Sequence, residues 1–355
     1  MTNFPGIAIS YKRTAIQFIN IIIIDMNKFK TVVTLLAIFL TMNTFAEQPV
    51  LRFKNHKFKI VQFTDLHLIS GNDFAGRNDS TYALMRYVIK EEKPDMVVLT
   101  GDVVVSGGAA QVWQKVVQPM TEGQVPFAVT FGNHDTESDM AKPDILKFLQ
   151  KNKFNLTTNS DKTHSGVGNC SLPILSSEGN AMLWAIYLFD SHAYTKDTTL
   201  GVYDWIKNDQ IQWYRNQSMA YARKEGKTIP ALAFFHIPLP EFEQVRKQKT
   251  VLGSTTEQVC SSLINSGLFS SFVEMDDVAG VFVGHDHNND YVGPLAHICL
   301  GYGRKTGYAS AYHEILPRGA RIIELCEHQK KFTTYIRTLS GKFLDYQFPE
   351  NLSTR

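Results

Sequence analysis

Five apolar runs of strand character recur along the chain, and each stops on a polar side chain able to hold a metal ion. Residues 58–67 read FKIVQFTDLH, 96–102 MVVLTGD, 127–135 FAVTFGNHD, 231–236 ALAFFH and 278–287 VAGVFVGHDH. Runs this rich in Val, Ile, Phe and Leu predict buried strands. Between them the period changes to that of a helix. Residues 80–92 set Met85, Val88, Ile89 and Glu92 at helical spacing before Pro94 breaks the run. Residues 111–117 read as a second helix ended by Pro119, and 143–151 as a third with proline in its first turn. Further on, 181–188 reads as a strand, 209–224 as an amphipathic helix, and 295–300, 320–325 and 332–338 as strands. The alternation predicts an α/β fold rather than an all-β one. Strand ends gathered at one edge of a sheet would pool their polar residues in one crevice.

Two stretches break the pattern. Residues 152–179, rich in Asn, Thr, Ser and Gly, predict a long excursion with at most short β-ribs, overhanging the crevice. Residues 241–255 are charged and loop-like. Nothing in the chain reads as an internal repeat, a low-complexity tract or an interdomain linker, so residues 47–355 are expected to form a single domain.

The front end reads differently. Residues 26–46 carry Lys28 and Lys30, then an apolar stretch from Val32 to Leu40, then Thr44, Phe45 and Ala46, the pattern of a secretory signal peptide starting at Met26. Residues 1–25 read as an over-called start. Asp25 separates their apolar run from the next, and neither run reaches the ~20 residues of a membrane span. The expectation is an exported protein, periplasmic or extracellular, with no stable membrane span after cleavage. Removal of residues 1–46 takes away Lys12, Arg13, Lys28, Lys30 and Asp25, which leaves a nearly neutral chain and no basic surface for a long nucleic acid. Cys170, Cys260, Cys299 and Cys326 all lie in the exported part and form no CxxC pair, so buried thiols or one bridge are expected rather than a zinc-thiolate site.

The candidate chemistry comes from Asp65, His67, Asp102, Asn133, His134, His236, His285 and His287. A lone DxH or GD marks little, because aspartates at strand ends commonly cap helices or make turns. Together these residues offer carboxylate, amide oxygen and imidazole, a donor set that suits Mn, Fe, Zn or Ni better than a calcium cage. Gly101, Gly132 and Gly284 precede three of them and leave room beside an ion.

In these motifs the sequence resembles the calcineurin-like metallophosphoesterase superfamily. Its pattern of D-x-H, GD, GNH(D/E), a lone H and GHxH is matched by Asp65-Leu66-His67, Gly101-Asp102, Gly132-Asn133-His134-Asp135, His236 and Gly284-His285-Asp286-His287. Tyr203-Asp204-Trp205, the FFHIPLP around His236, the NSGLF at 265–269 and the GYGRKTGY at 301–308 look like its purple-acid-phosphatase-like branch. The resemblance implies two facing mixed β-sheets flanked by helices, an αββα sandwich with two divalent metal ions at the strand ends. By that pattern Asp65, His67, Asp102 and His287 would hold one ion, and Asp102, Asn133, His236 and His285 the other. Asp102 would bridge them, and a water shared by both ions would lose a proton near neutral pH and attack phosphorus. His134 and Asp135 form the implied catalytic pair, His134 serving the leaving oxygen and Asp135 orienting the loop.

Purple enzymes place a tyrosine three residues after the bridging aspartate and a glycine where this chain has His67. Val105 stands at the tyrosine position here, so a coloured iron-tyrosinate centre is not expected. Arg304, in a glycine-rich loop, is a candidate for a bidentate phosphate contact, and His164, His192, Tyr203 and Asn288 are candidates to line the crevice mouth. Asp286 is expected to point outward and make a turn; Trp184 and Trp213 belong to the core. The expected function is a secreted phosphoesterase acting on small phosphate monoesters by a two-metal mechanism with a bridging hydroxide. The alternatives are a phosphodiesterase or nuclease on the same site, and a catalytically silent, metal-stabilised binding protein.

Overall fold

The structure, a computed structural model, describes residues 48–159, 164–309 and 315–349, so the signal-peptide and early-start readings of residues 1–46 lie outside it. The first buried run becomes β1 (Lys57–Phe63), followed by α1 (Ala75–Glu92). Lys93 ends α1 in the left-handed conformation, its N–H on Ile89 O, and Pro94 prevents continuation. Next come β2 (Met96–Thr100), α2 (Ala109–Val116), the short α3 (Gln118–Glu122), β3 (Phe127–Thr130) and α4 (Lys142–Leu149). The Asp139 carboxylate accepts from the Gly108 and Ala109 N–H groups and so caps α2 from another loop. Pro119 opens α3 rather than ending helical structure, because proline fits a first turn.

The second half holds β4 (Cys170–Leu175), β5 (Met182–Leu188), α5 (Asn208–Glu225), β6 (Ala231–Phe234), α6 (Phe242–Arg246), α7 (Leu268–Met275) and β7 (Val278–Val283). It closes with β8 (Val292–Leu295), β9 (Ile298–Tyr302), β10 (Gly319–Cys326), β11 (Phe332–Thr338) and β12 (Gly341–Phe348). Within 152–179, Phe154 and Leu156 pair with Phe127 beside β3, and residues 170–175 form the edge strand β4, a short rib of the kind expected. Other expectations are corrected here. Residues 241–255 include α6, and the single strand expected at 295–300 is split by a tight turn at Ala296 and His297, both at positive φ.

Two six-stranded mixed sheets result, ordered β12-β11-β10-β1-β2-β3 and β4-β5-β6-β7-β9-β8. Strands β1, β2 and β3 run parallel, as do β5, β6, β7 and β9. Side-chain alternation explains why their sequences carry no polar stripe. Ile60, Met96 and Val98 point between the sheets with Trp184, Phe234, Phe282 and Phe332, while Val61, Val97 and Leu99 point the other way under Met85, Val88 and Trp113. On the second sheet Tyr187, Ala233 and Val281 face Tyr214 and Phe272 of the covering helices. The fold is therefore an αββα sandwich with buried strands on both sides of its central layer. Trp184 is fully buried in the layer between the sheets, and Trp213, on α5, packs against Tyr187 and Phe189 of the second sheet's outer face, so both belong to the core. All described residues fall in one compact unit, Gln48–Arg355. None of their helices is long and apolar enough to cross a membrane, and the four cysteines are free thiols, Cys170 and Cys299 buried.

Candidate metal centre

The chain leaves five parallel strands at the same edge. Asp65 and His67 follow β1, Asp102 follows β2, Asn133 and His134 follow β3, His236 follows β6, and His285 and His287 follow β7. To turn each side chain back over the strand ends, the backbone enters the left-handed region at Asp65 (φ 52°), His67 (46°), Asp102 (50°) and His285 (82°). Such a conformation costs about 1 kcal/mol for a residue with a Cβ. Local hydrogen bonds hold it in place: His67 N to Asp102 O (2.9 Å), Asp65 N to Gly101 O (3.2 Å), and His285 N to the Asp65 carboxylate (3.1 Å). A side chain at Gly132 would collide with the Asp102 carboxylate, and one at Gly284 with Thr64 and Asp65.

Two groups of ligand atoms converge there. Asp65, His67 and His287 form one and Asp102, His236 and His285 the other; all six are buried, and each group's ligand atoms lie within 4.8 Å of one another. In the first, Asp65 Oδ1 is 3.4 Å from His287 Nε2, and the His287 and His67 Nε2 atoms are 3.0 Å apart. In the second, His285 Nδ1 is 3.3 Å from His236 Nε2. Asp102 stands between them, with Oδ2 3.1 Å from His236 Nε2 and 3.5 Å from His67 Nε2, while Oδ1 accepts from the His134 N–H at 2.8 Å. Asn133 donates its Nδ2 to the Tyr194 hydroxyl (2.9 Å), which leaves Oδ1 buried with no hydrogen-bond partner.

The residues fit two cations. Facing imidazole nitrogens, carboxylates between them and an orphaned amide oxygen are what a cation pair would satisfy. Without metal, protons take that part. Burial opposes charge on Asp102, but His236 and His67 beside it hold its carboxyl well below the ordinary range. Burial likewise opposes protonation of His236, yet Asp102 raises its pKa to about 9, whereas burial and the neighbouring His236 push His285 down to about 3. Cations would displace the proton and use the same anionic charge. The donors are nitrogen and oxygen throughout, matching Mn, Fe, Zn or Ni.

His134 lies at the mouth. Its ring is 5.3 Å from that of His67, its side chain is about one-third exposed, and Nδ1 is 2.8 Å from Glu137 Oε1. Glu137 also accepts from the Tyr194 hydroxyl at 3.2 Å. Asp135 faces away from the mouth: its carboxylate accepts from the backbone N–H groups of Asp102, Val103, Val104 and Gly132, joining the second and third loops. It positions the centre and does not touch a reacting group. Burial and nearby Asp102 raise its pKa to about 6.

Several sequence candidates stand elsewhere. Arg304 is buried and ion-paired with Asp290, with a further bond to Pro317 O, so it is no phosphate clamp. Asp286 is buried rather than outward-pointing, accepting from Tyr302 Oη (2.6 Å) and Cys260 N (3.2 Å); burial raises its pKa to about 7. His164 stacks on Trp213, and His192 bonds Gln210 through Nε2. Asn288 Oδ1 accepts from Ile315 N (2.9 Å). Tyr203 does reach the centre, edge-on to His285 with ring centroids 4.5 Å apart. The sequence reading missed Glu137, whose i+3 spacing from His134 was the available signal, and Tyr194, for which no motif exists. It also missed Lys305, buried with Nζ on Asp65 O (3.1 Å).

Comparison with known proteins agrees with this geometry. A family model described as calcineurin-like phosphoesterase matches residues 58–289. The chain is similar to "Probable inactive purple acid phosphatase 14" of Arabidopsis thaliana, 33% identical over 320 residues, which covers 81% of this chain and 79% of that protein. It is also similar to "Phosphatase DCR2" of Saccharomyces cerevisiae, 31% identical over 264 residues, 66% of this chain and 45% of that one. Among solved structures, a dimetal phosphatase from Danio rerio superposes with a TM-score of 0.57 at 13% identity, covering 82% of this chain and 98% of its own, a likeness of fold.

Proposed function

The chain belongs to the calcineurin-like phosphoesterase family, and within it we propose an exported hydrolase of small phosphate monoesters that works with two divalent cations. The observation that carries this reading is the completeness of the centre: both ligand groups are filled, Asp102 stands between them, and His134 sits beside them at the mouth. Two bound cations would supply positive charge to polarise phosphoryl oxygens and to acidify water at neutral pH.

The chain's own residues do the rest. Asp102 remains anionic and is held in orientation by the His134 N–H. Asn133 is turned so that its amide oxygen, not its NH2, serves the centre, because Tyr194 takes the NH2. Glu137 engages His134 Nδ1, which leaves Nε2 to meet the departing oxygen of an ester and hand it a proton. Thr64 and Lys305 tie the first loop to the 303–307 segment, so the ligands are fixed before substrate arrives. Val105 is no metal ligand, its N–H bonding Leu68 O beside the centre.

A silent binding protein is the second reading, favoured by the "probable inactive" wording attached to the Arabidopsis relative. The two readings separate on one assay. Metals are stripped from the purified chain and restored singly, and an aryl phosphomonoester is compared with an aryl phosphodiester. Monoester turnover supports the proposal; diester preference would replace it with a phosphodiesterase, and no turnover with any metal would leave the binding protein. Export is tested by sequencing the N-terminus of protein recovered outside the cytoplasm, which should begin after Ala46.

A further inference from the structure

The mouth of the centre is chemically one-sided. Residues 193–195 and 202–204 form a short two-stranded lip, Thr195 N bonding Val202 O (2.9 Å) and Asp204 N bonding Ala193 O (3.0 Å). The lip carries two stacked rings, Tyr194 and Tyr203, with centroids 5.9 Å apart and planes 28° apart. Tyr203 forms the inner layer, against ligand His285. Tyr194 forms the outer layer, 40% exposed and edge-on to His134 at 6.3 Å. Beside the lip, Leu263, 69% exposed, packs against Gly201.

The outer ring is held, not loosely displayed. Its hydroxyl accepts from Asn133 Nδ2 and donates to Glu137 Oε1, so the ring's angle to the centre is set by two polar anchors on the opposite loop. A rigid aromatic with a pinned hydroxyl offers a face to a flat partner at little entropic cost. On the other side of the mouth His134 and Glu137 are polar. If His134 serves the leaving oxygen, the organic group of an ester held at the centre lies beside His134, whose ring contacts that of Tyr194.

We infer that the Tyr194–Tyr203 stack is a specificity shelf for phosphate esters whose organic part is a planar aromatic ring. The inference rests on the phosphoester reading above, because the metal centre supplies the phosphate anchor. Tyr194 is thus a specificity-determining residue, and Tyr203 the support that keeps it flat against the site.

Binding rather than turnover provides the test, so that a slow or silent centre does not hide the answer. The purified chain, loaded with divalent metal, is titrated by calorimetry with orthophosphate, phenylphosphonate and cyclohexylphosphonate, the last two matched in ring size but differing in flatness and π-face. Phenylphosphonate should bind roughly tenfold more tightly than the cyclohexyl compound, the scale of one aromatic stacking contact. Tyr194→Leu should reduce that ratio to about twofold or less, and Tyr194→Phe, which keeps the face on its Tyr203 support but loses the two hydroxyl anchors, should fall between Leu and wild type. Equal binding of the two phosphonates while orthophosphate binds, or a phenyl preference that survives Tyr194→Leu, overturns the shelf alone. Failure of orthophosphate and both phosphonates to bind overturns the phosphoester reading and the shelf together.

Discussion

Replacing Asp102 by asparagine tests how the centre is built, because it removes one charge and almost nothing else. The carboxylate lies 3.1 Å from His236 Nε2 and 3.5 Å from His67 Nε2, so it faces both ligand groups at once. Two divalent cations about 4 Å apart would repel by about 17 kcal/mol at an effective dielectric constant of ~20. A single negative charge at ligand distance, about 2 Å from each, offsets all of that repulsion. The amide can still ligate one ion through its oxygen and still accept from the His134 N–H, now at 2.8 Å, but it brings no charge. Asp102→Asn should therefore stay folded, bind about one metal fewer per chain than wild type, and lose roughly 10³-fold or more in kcat. Asp65→Asn should be milder, because that side chain faces only one group. Metal analysis, a thermal melt and phosphate release on both purified variants check this. If Asp102→Asn keeps two tightly held metals, or loses no more activity than Asp65→Asn, the bridging role is wrong.

His134→Ala should lower kcat by about 10²–10⁴-fold on an ester with a poor leaving group and by less on a good one, with metal content unchanged; Glu137→Ala should show the same leaving-group dependence at smaller amplitude. Equal losses for both leaving groups would make the pair structural. With Val105 where a tyrosine ligand would be needed, the metal-loaded protein should show no intense visible absorption, and a purple preparation would contradict that. Buried Glu92 illustrates a pH effect: burial raises its pKa, but hydrogen bonds from Tyr335, Arg337 and Lys59 outweigh burial and lower it from 4.5. A depressed folded pKa stabilises above the unfolded value, and that contribution fades as pH falls through the folded pKa. Glu92→Gln should then cost about 1–3 kcal/mol at pH 7, and a melting-temperature gap to wild type that fails to narrow below pH 4.5 would refute the sign.

The candidate ligands were legible because strand, turn and side chain are contiguous in the chain. Asp65, Asp102, Asn133, His236 and His285 each follow a buried run directly, so locating the strand end located the candidate ligand. Side-chain direction beyond the ligands was not legible, because it depends on partners supplied by the fold. Arg304 looked like a phosphate clamp in a glycine-rich loop, yet Asp290 neutralises it inside the protein. Asp286 looked like a turn residue between two ligands, yet Tyr302 draws it inward. Tyr194 carries no local signal, since its place depends on a two-stranded lip whose register no sequence pattern marks. Among the elements, β12 was missed for a related reason. Its burial alternates irregularly along an edge strand, where no continuous apolar run forms.

We propose that two cations, not one, make this centre a catalyst. It is tested most directly by adding Mn or Zn stepwise to the metal-free chain while bound metal and phosphate release from an aryl monoester are followed together. Activity should stay low through the first equivalent, rise with the second and level off near two metals per chain. Full activity at one equivalent, or two tightly bound equivalents with no phosphate released, would contradict it.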